Sequence, residues 1–102
     1  MANVAFLLAD GYEDSEMDHP YQAVKRAGHN AVIIGLKNGE QLKGKKGRSY
    51  YVAEMGIADA NPLDFDAVII PGGLAPERLR NDVNILQFVQ KLHEQRKLIA
   101  AI

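Results

Sequence analysis

Asp10-Gly-Tyr-Glu-Asp14 places three carboxylates within five residues, directly after an apolar run at residues 4–9. A carboxyl that is partly desolvated has a raised pKa, so it can hold a proton, donate it, or act as a general acid or base. Glu13 sits just before a helix-like segment and is the candidate for such a role. Acids in this place also stabilise a helix dipole while facing solvent, and the loop alone does not choose between the two. Pro71-Gly72-Gly73 follows a second apolar run, Ala67–Ile70. Two glycines let the backbone turn sharply and aim N–H groups at a ligand, as an oxyanion hole requires. A plain tight turn has the same signature. Glu77, in Ala75-Pro-Glu-Arg-Leu-Arg80, reads as a first-turn helix acid, with Arg78 and Arg80 as surface charges.

Other chemistries lack their residues. Twelve Lys/Arg against thirteen Asp/Glu give a net charge of -1, which favours neither nucleic acid nor an anionic membrane. Lys37, Lys43, Lys45, Lys46 and Arg48 form a basic segment opposed by Glu40. It reads as lysines guarding an exposed hairpin edge rather than as a nucleic-acid patch, since no base-stacking pattern accompanies it. His19, His29 and His93 are scattered, and cysteine is absent, so neither a metal site nor a disulfide is expected. The phosphate-loop and dinucleotide glycine patterns are missing, and no cofactor is expected. No apolar stretch approaches the ~20 residues of a membrane helix, and no basic start precedes a signal-like core. A cytoplasmic location follows as the expectation.

The positioning elements read as a single unit over residues 1–102. Apolar runs at 4–9, 31–36, 67–70 and 98–102 do not alternate with polar residues, which suits parallel strands buried on both faces. Met17, Tyr21 and Val24 recur at helical spacing within 15–28, where Ser15 and Asp18 resemble a capping box and Gly28 a helix stop. Pro20 fits that helix only near its first turn. A second helix is predicted over 82–94, with Ile85, Phe88, Val89 and Leu92 on one face and Asn81 or Asp82 as cap. Pro76 suits the start of a further helical turn. Segments 40–45 and 48–53 around Lys46-Gly47 predict a hairpin, and 59–66 a connecting loop. Strand–helix–strand units with right-handed crossovers give a flavodoxin-like, doubly wound and mostly parallel α/β sheet. Ligands then bind beyond the carboxyl ends of the strands, which is where 10–14 and 71–77 fall.

As a set these residues become specific. Val4-Ala-Phe-Leu-Leu-Ala-Asp-Gly-Tyr-Glu-Asp-Ser-Glu16, Pro20-Tyr21, Ala27-Gly28-His29, Gly44-Lys45-Lys46-Gly47 and Asp64-Phe-Asp-Ala-Val-Ile-Ile-Pro-Gly-Gly73 stand in the order and spacing of a known family. Ala75-Pro-Glu-Arg matches its next loop. Over essentially all its length the chain resembles the PfpI-type intracellular protease family, of the Parkinsonism-associated deglycase superfamily, with a class I glutamine amidotransferase-like fold. Tyr12 stands where the family more often has Phe.

The resemblance implies roles that spacing alone does not. Glu13 matches a glutamate that hydrogen-bonds a catalytic thiol and helps hold it as thiolate. Gly73, with Gly72 beside it, matches the backbone oxyanion donors. Glu77 matches a glutamate that reaches a histidine of a neighbouring subunit. Members form dimers that often assemble into hexamers, so a homo-oligomer is implied. They continue past the last strand with Cys-His-Gly-Pro and a further half, so the nucleophile is expected beyond Ile102. A thiolate on a strained turn attacks a carbonyl. The implied substrates are peptides or small glyoxal-modified carbonyl compounds, and these 102 residues alone are expected to be inactive, with exposed sheet edge and apolar surface. Two rivals remain. One is a non-catalytic, chaperone-like stress protein on the same scaffold. The other is a flavodoxin or receiver domain, which lacks its phosphate loop and its acceptor aspartate here.

Overall fold

The computed structural model describes residues 1–73 and 79–101. In chain order the elements are β1 (Asn3–Leu7), α1 (Asp14–Arg26), β2 (Asn30–Gly35), β3 (Gln41–Lys43), β4 (Tyr50–Val52), β5 (Met55–Gly56), β6 (Ala67–Ile70), α2 (Val83–Glu94) and β7 (Leu98–Ala101). Single 3₁₀ turns at Ile57–Asp59 and Pro62–Asp64 connect β5 to β6. The main sheet has five parallel strands in the order β5-β2-β1-β6-β7. This is the flavodoxin-like, doubly wound layout expected from the continuous apolar runs.

β1 is the centre of the core. Phe6 is registered with Ile33 on one side and Ile69 on the other, and the strand is buried from Val4 onward. A strand covered on both faces and both edges has no use for polar alternation, which is why the sequence shows none. The chain order reverses at β1: β2 lies to one side and β6 to the other. Loops leaving β1 and β6 therefore emerge side by side, forming the crevice where such sheets hold ligands.

α1 packs Met17, Tyr21 and Val24 on the sheet, with Tyr21 edge-on to Phe6 at 5.6 Å between ring centroids. Two local expectations are corrected. The N-cap is Glu13, not Ser15, and it makes no side-chain cap bond. Asp18 instead accepts a hydrogen bond from Tyr51 at 2.6 Å, so no capping box forms. Pro20 lies inside the helix rather than in its first turn. It removes the N–H that would bond Glu16, a local loss that packing of Met17 and Tyr21 overrides. Gly28, at φ +83, ends the helix, and its N–H donates to the Lys25 carbonyl.

α2 follows its predicted face. Ile85, Phe88 and Leu92 are buried, Phe88 meets Phe65 at 5.8 Å, and Asp82 Oδ1 accepts from the Asn84 and Ile85 N–H groups. Full burial of a side chain such as Phe88 contributes roughly 1.5–3 kcal/mol. The two-residue strand β5 has no apolar run of its own, so sequence periodicity missed it. It adds to β2 through Ile34–Met55 and Gly35–Gly56 pairing, and a Cβ on Gly56 would lie 2.9 Å from the Asn38 nitrogen.

At the opposite edge, β7 pairs with β6 alone among the described residues. Leu98 is 67% exposed there. Next to this edge, Ile70, Leu86, Val89, Ile99 and Ala101 line an apolar groove of about 560 Å³. An open strand edge beside apolar surface is a template for pairing. The 102-residue chain is expected to self-associate as its concentration rises, and Leu98→Lys to lower the association constant, as read by sedimentation velocity. An unchanged sedimentation profile for the variant would rule the edge out as the contact.

Candidate functional site

Three backbone segments meet at the carboxyl end of the sheet: residues 8–13 after β1, residues 44–49 between β3 and β4, and residues 71–73 after β6. Tyr12 joins all three, bridging in parallel to Gly44 and antiparallel to Gly73. Gly11 N–H donates to the Lys43 carbonyl at 2.9 Å, Lys45 N–H to the Tyr12 carbonyl at 2.9 Å, and Glu13 N–H to the Gly72 carbonyl at 2.8 Å. Asp10 Oδ1 accepts from the Lys43 N–H at 2.9 Å. The β3–β4 hairpin, predicted as an exposed edge, is in fact zipped onto the rim.

Asp14 is the anchor. Its side chain is 3% exposed and accepts four hydrogen bonds from the hairpin tip: Lys46 N–H at 3.0 Å, Arg48 N–H at 2.9 Å, Ser49 N–H at 3.1 Å and Ser49 Oγ–H at 3.3 Å. Burial alone would push this carboxyl up, but the backbone donors of Lys46, Arg48 and Ser49 outweigh it and hold the group below the ordinary aspartate value. Gly44 makes the approach possible, since a Cβ there would fall 2.1 Å from Asp14 Oδ2. Tyr12 adds a further tie through its hydroxyl, 2.8 Å from Ser49 Oγ. The phenol that replaces the family's commoner Phe thus has a partner, and burial raises its pKa despite that bond.

Glu13 points to the hairpin. Its Oε2 lies 2.9 Å from Lys45 Nζ and its Oε1 3.5 Å from Lys46 Nζ, with the carboxyl 15% exposed. Of the two readings open from the sequence, the structure supports the ionised one: the hydrogen bond from the Lys45 ammonium, aided by the charges of Lys45 and Lys46, outweighs burial and lowers the Glu13 pKa. Glu13 is a carboxylate and an acceptor. The Lys45 ammonium is raised in turn by the same bond. A depression of about 160 Å³ opens beside this pair, lined by Glu13, Ser15, Asp18, His19, Lys46 and Arg48.

The two glycines after β6 differ. Gly72 N–H donates to Glu16 Oε1 at 2.8 Å, so its donor is engaged by a carboxylate. Gly73 N–H has no acceptor among the described residues. Gly73 adopts φ +90, and a Cβ there would lie 2.6 Å from the Glu13 nitrogen and 2.7 Å from the Gly11 oxygen. It stands against the β1 loop because it has no side chain. The structure therefore brings Glu13 and Gly73 to one rim. Glu77 and Pro76 lie outside the described residues.

A family model described as "DJ-1/PfpI family" matches residues 2–102. The chain belongs to the DJ-1/PfpI family. It is 38% identical over 99 residues to General stress protein 18 of Bacillus subtilis, covering 97% of this chain and 58% of that protein. It is 34% identical over 99 residues to Protein/nucleic acid deglycase 2 of Escherichia coli, with the same two coverages, 97% and 58%. A crystal structure of a two-domain protein from Anabaena variabilis, containing DJ-1/ThiJ/PfpI-like and ferritin-like domains, superposes with a TM-score of 0.96 at 40% identity, over 99% of this chain and 29% of that one. The chain thus spans somewhat over half the length, 58%, of these two curated relatives. Among its described residues, no helix is long and apolar enough to cross a membrane, and no cluster of His, Asp and Glu has metal-site geometry.

Sequence reading placed residues 10–14 at this rim but did not single out Asp14 as its anchor, and it missed Glu16, Lys45 and Lys46 as parts of it. Nothing in Asp10-Gly-Tyr-Glu-Asp-Ser-Glu16 distinguishes which acid turns inward, since that depends on a hairpin some thirty positions away. Gly44 and Gly47 flanking two lysines were the available signal. Replacing Asp14 with Asn would set an amide N–H₂ against backbone donors. Because hydrogen bonds to a charged group are worth about 1.5–3 kcal/mol each, a loss on the order of 3 kcal/mol is expected. Thermal denaturation should show a Tm lower by roughly 10 °C or more. The folded-state pKa of Asp14 is depressed, so its contribution is complete above the ordinary value of 3.8 and is lost as the pH falls through the folded value. The variant's stability curve should therefore be flatter below pH 3.8 than that of the parent chain. A Tm within 2 °C of the parent, on the order of the change a neutral substitution gives, would remove Asp14 as the anchor.

Proposed function

We propose that this chain forms the scaffold half of a thiol-dependent stress-defence enzyme acting on carbonyl groups of glyoxal-modified or peptide substrates. The observation that carries the reading is that the loop holding the anionic Glu13 and the turn holding Gly73, whose N–H has no acceptor among the described residues, are joined at one rim of the sheet by the 2.8 Å bond from the Glu13 N–H to the Gly72 carbonyl. The names of its relatives, a general stress protein and a protein/nucleic acid deglycase, support it. The chain contains no cysteine, so the thiol would be supplied from outside residues 1–102.

In this reading the Glu13 carboxylate takes the thiol proton, the thiolate attacks the carbonyl carbon, and the carbonyl π pair becomes an oxyanion received by the Gly73 N–H. The reading carries with it a cytoplasmic setting and assembly as a homo-oligomer, with Glu77 in the role that the resemblance implies for it. The experiment is methylglyoxal consumption by a complete protein that includes the thiol. Glu13→Gln, which keeps the shape and removes the proton acceptor, is expected to lower kcat/KM by about 10²-fold or more. A rate within about twofold of the parent would overturn the role given to Glu13.

A second reading, supported by the name General stress protein 18 of one relative, is a non-catalytic, chaperone-like stress protein on the same scaffold. It predicts protection of an aggregating client by the 102-residue chain with no glyoxal consumed. Measurable consumption by that chain would exclude it.

A further inference from the structure

The β3–β4 hairpin carries more order than an edge-guarding loop needs. Its tip donates three backbone N–H groups and one hydroxyl to a single buried carboxylate, and it accepts or donates three more backbone bonds to residues 11, 12 and the Asp10 side chain. The outcome of this anchoring is local. Lys45 and Lys46, adjacent in sequence, both turn back onto the one carboxyl of Glu13, each nearest a different oxygen.

We propose that the hairpin tip is part of the functional site, with Asp14 as its anchor and the Lys45 ammonium as its working end, holding Glu13 as an anionic acceptor at the rim. This deepens the proposed function and rests on it for the use Glu13 is put to. The pairing has its own grounds. A half-exposed ion pair adds little to stability, and Lys45 is 39% exposed, so stability gives no reason to order two lysines on one acid. Glu13 also leaves the cap position of α1 unfilled by its side chain, although it is the N-cap residue. Its carboxyl is committed to the hairpin instead of to its own helix.

Charge accounts for what the arrangement does. Around Glu13 stand Lys45, Lys46 and Arg48 from the hairpin and Asp14, Asp18 and His19 from α1. Burial by itself would raise the Glu13 pKa and favour a protonated, donating carboxyl. Lys45, in direct contact at 2.9 Å, reverses that sign, and Lys46 at 3.5 Å assists. When Glu13 accepts a proton, its negative charge disappears while the Lys45 ammonium stays. An anion formed nearby then faces a net positive hairpin tip. Lys45 is accordingly a positioning residue: it acts through Glu13 and not on the reacting atoms.

The test is a ¹³C NMR titration of the Glu13 side-chain carboxyl in the folded 102-residue chain. Lys45→Met is expected to move the midpoint upward, Lys46→Met to move it upward by less, and Lys45→Arg to keep it near the parent value. Asp14→Asn should also raise it, because the tip that carries both lysines is released. Lys45→Met lies on the surface and leaves the Asp14 bonds intact, so its midpoint is read in a chain whose anchor is unchanged. An unmoved midpoint in Lys45→Met overturns the inference. The measurement needs no turnover, so this outcome is separate from the fate of the thiol reading, which Glu13→Gln decides by rate.

Discussion

A buried carboxylate solvated by backbone N–H groups is the contact on which this rim is built. Asp14 begins α1, yet its oxygens serve residues 46–49 of a hairpin more than thirty positions later. Burying a charge is costly unless donors replace water, and three amides and a hydroxyl do so here. The exchange fixes two bodies at once. α1 is tied to the hairpin, and the hairpin tip is held where its lysines meet Glu13. Both neighbours of this contact are shaped by it: Gly44 because no Cβ fits beside the carboxylate, and Tyr12 because its hydroxyl completes the Ser49 end.

The sheet supplies the setting. Reversal of strand order at β1 leaves the loops after β1 and β6 adjacent, and Gly73 closes the gap between them by lying directly against Gly11 and Glu13. Neighbouring carboxylates then take distinct tasks from their surroundings alone. Asp14 accepts backbone bonds, Glu13 pairs with ammonium groups, Glu16 takes the Gly72 N–H, and Asp18 takes the Tyr51 hydroxyl. Asp14 and Glu13 are both held below their ordinary values, but by different means: backbone amides for the one and ammonium groups for the other.

The chain belongs to the DJ-1/PfpI family and is 38% and 34% identical to two proteins, one named for general stress and the other for deglycation, over 58% of their length. The rim described here joins the loop after β1, which carries Glu13, to the turn after β6, which carries Gly73. It also differs from a bare pair of such groups. The lysine-bearing hairpin makes the acceptor's charge a property of three elements rather than of one loop.

By itself the sequence determined the layers. Continuous apolar runs, helical spacing of Met17, Tyr21 and Val24 and of Ile85, Phe88 and Leu92, and Gly28 at a helix end are local signals. Each is produced by a few neighbouring residues, so each could be read in place. The order and spacing of the motifs likewise carried the family, and with it Glu13 and Gly73. Tertiary structure decided the electrostatics. Whether Glu13 is raised or lowered, which acid is buried, that Pro20 sits within a helix, and that Met55-Gly56 forms a strand all depend on partners distant in the chain. A charge takes its behaviour from whatever lies within a few ångströms of it, and only the folded chain brings Lys45 to Glu13 and the hairpin amides to Asp14.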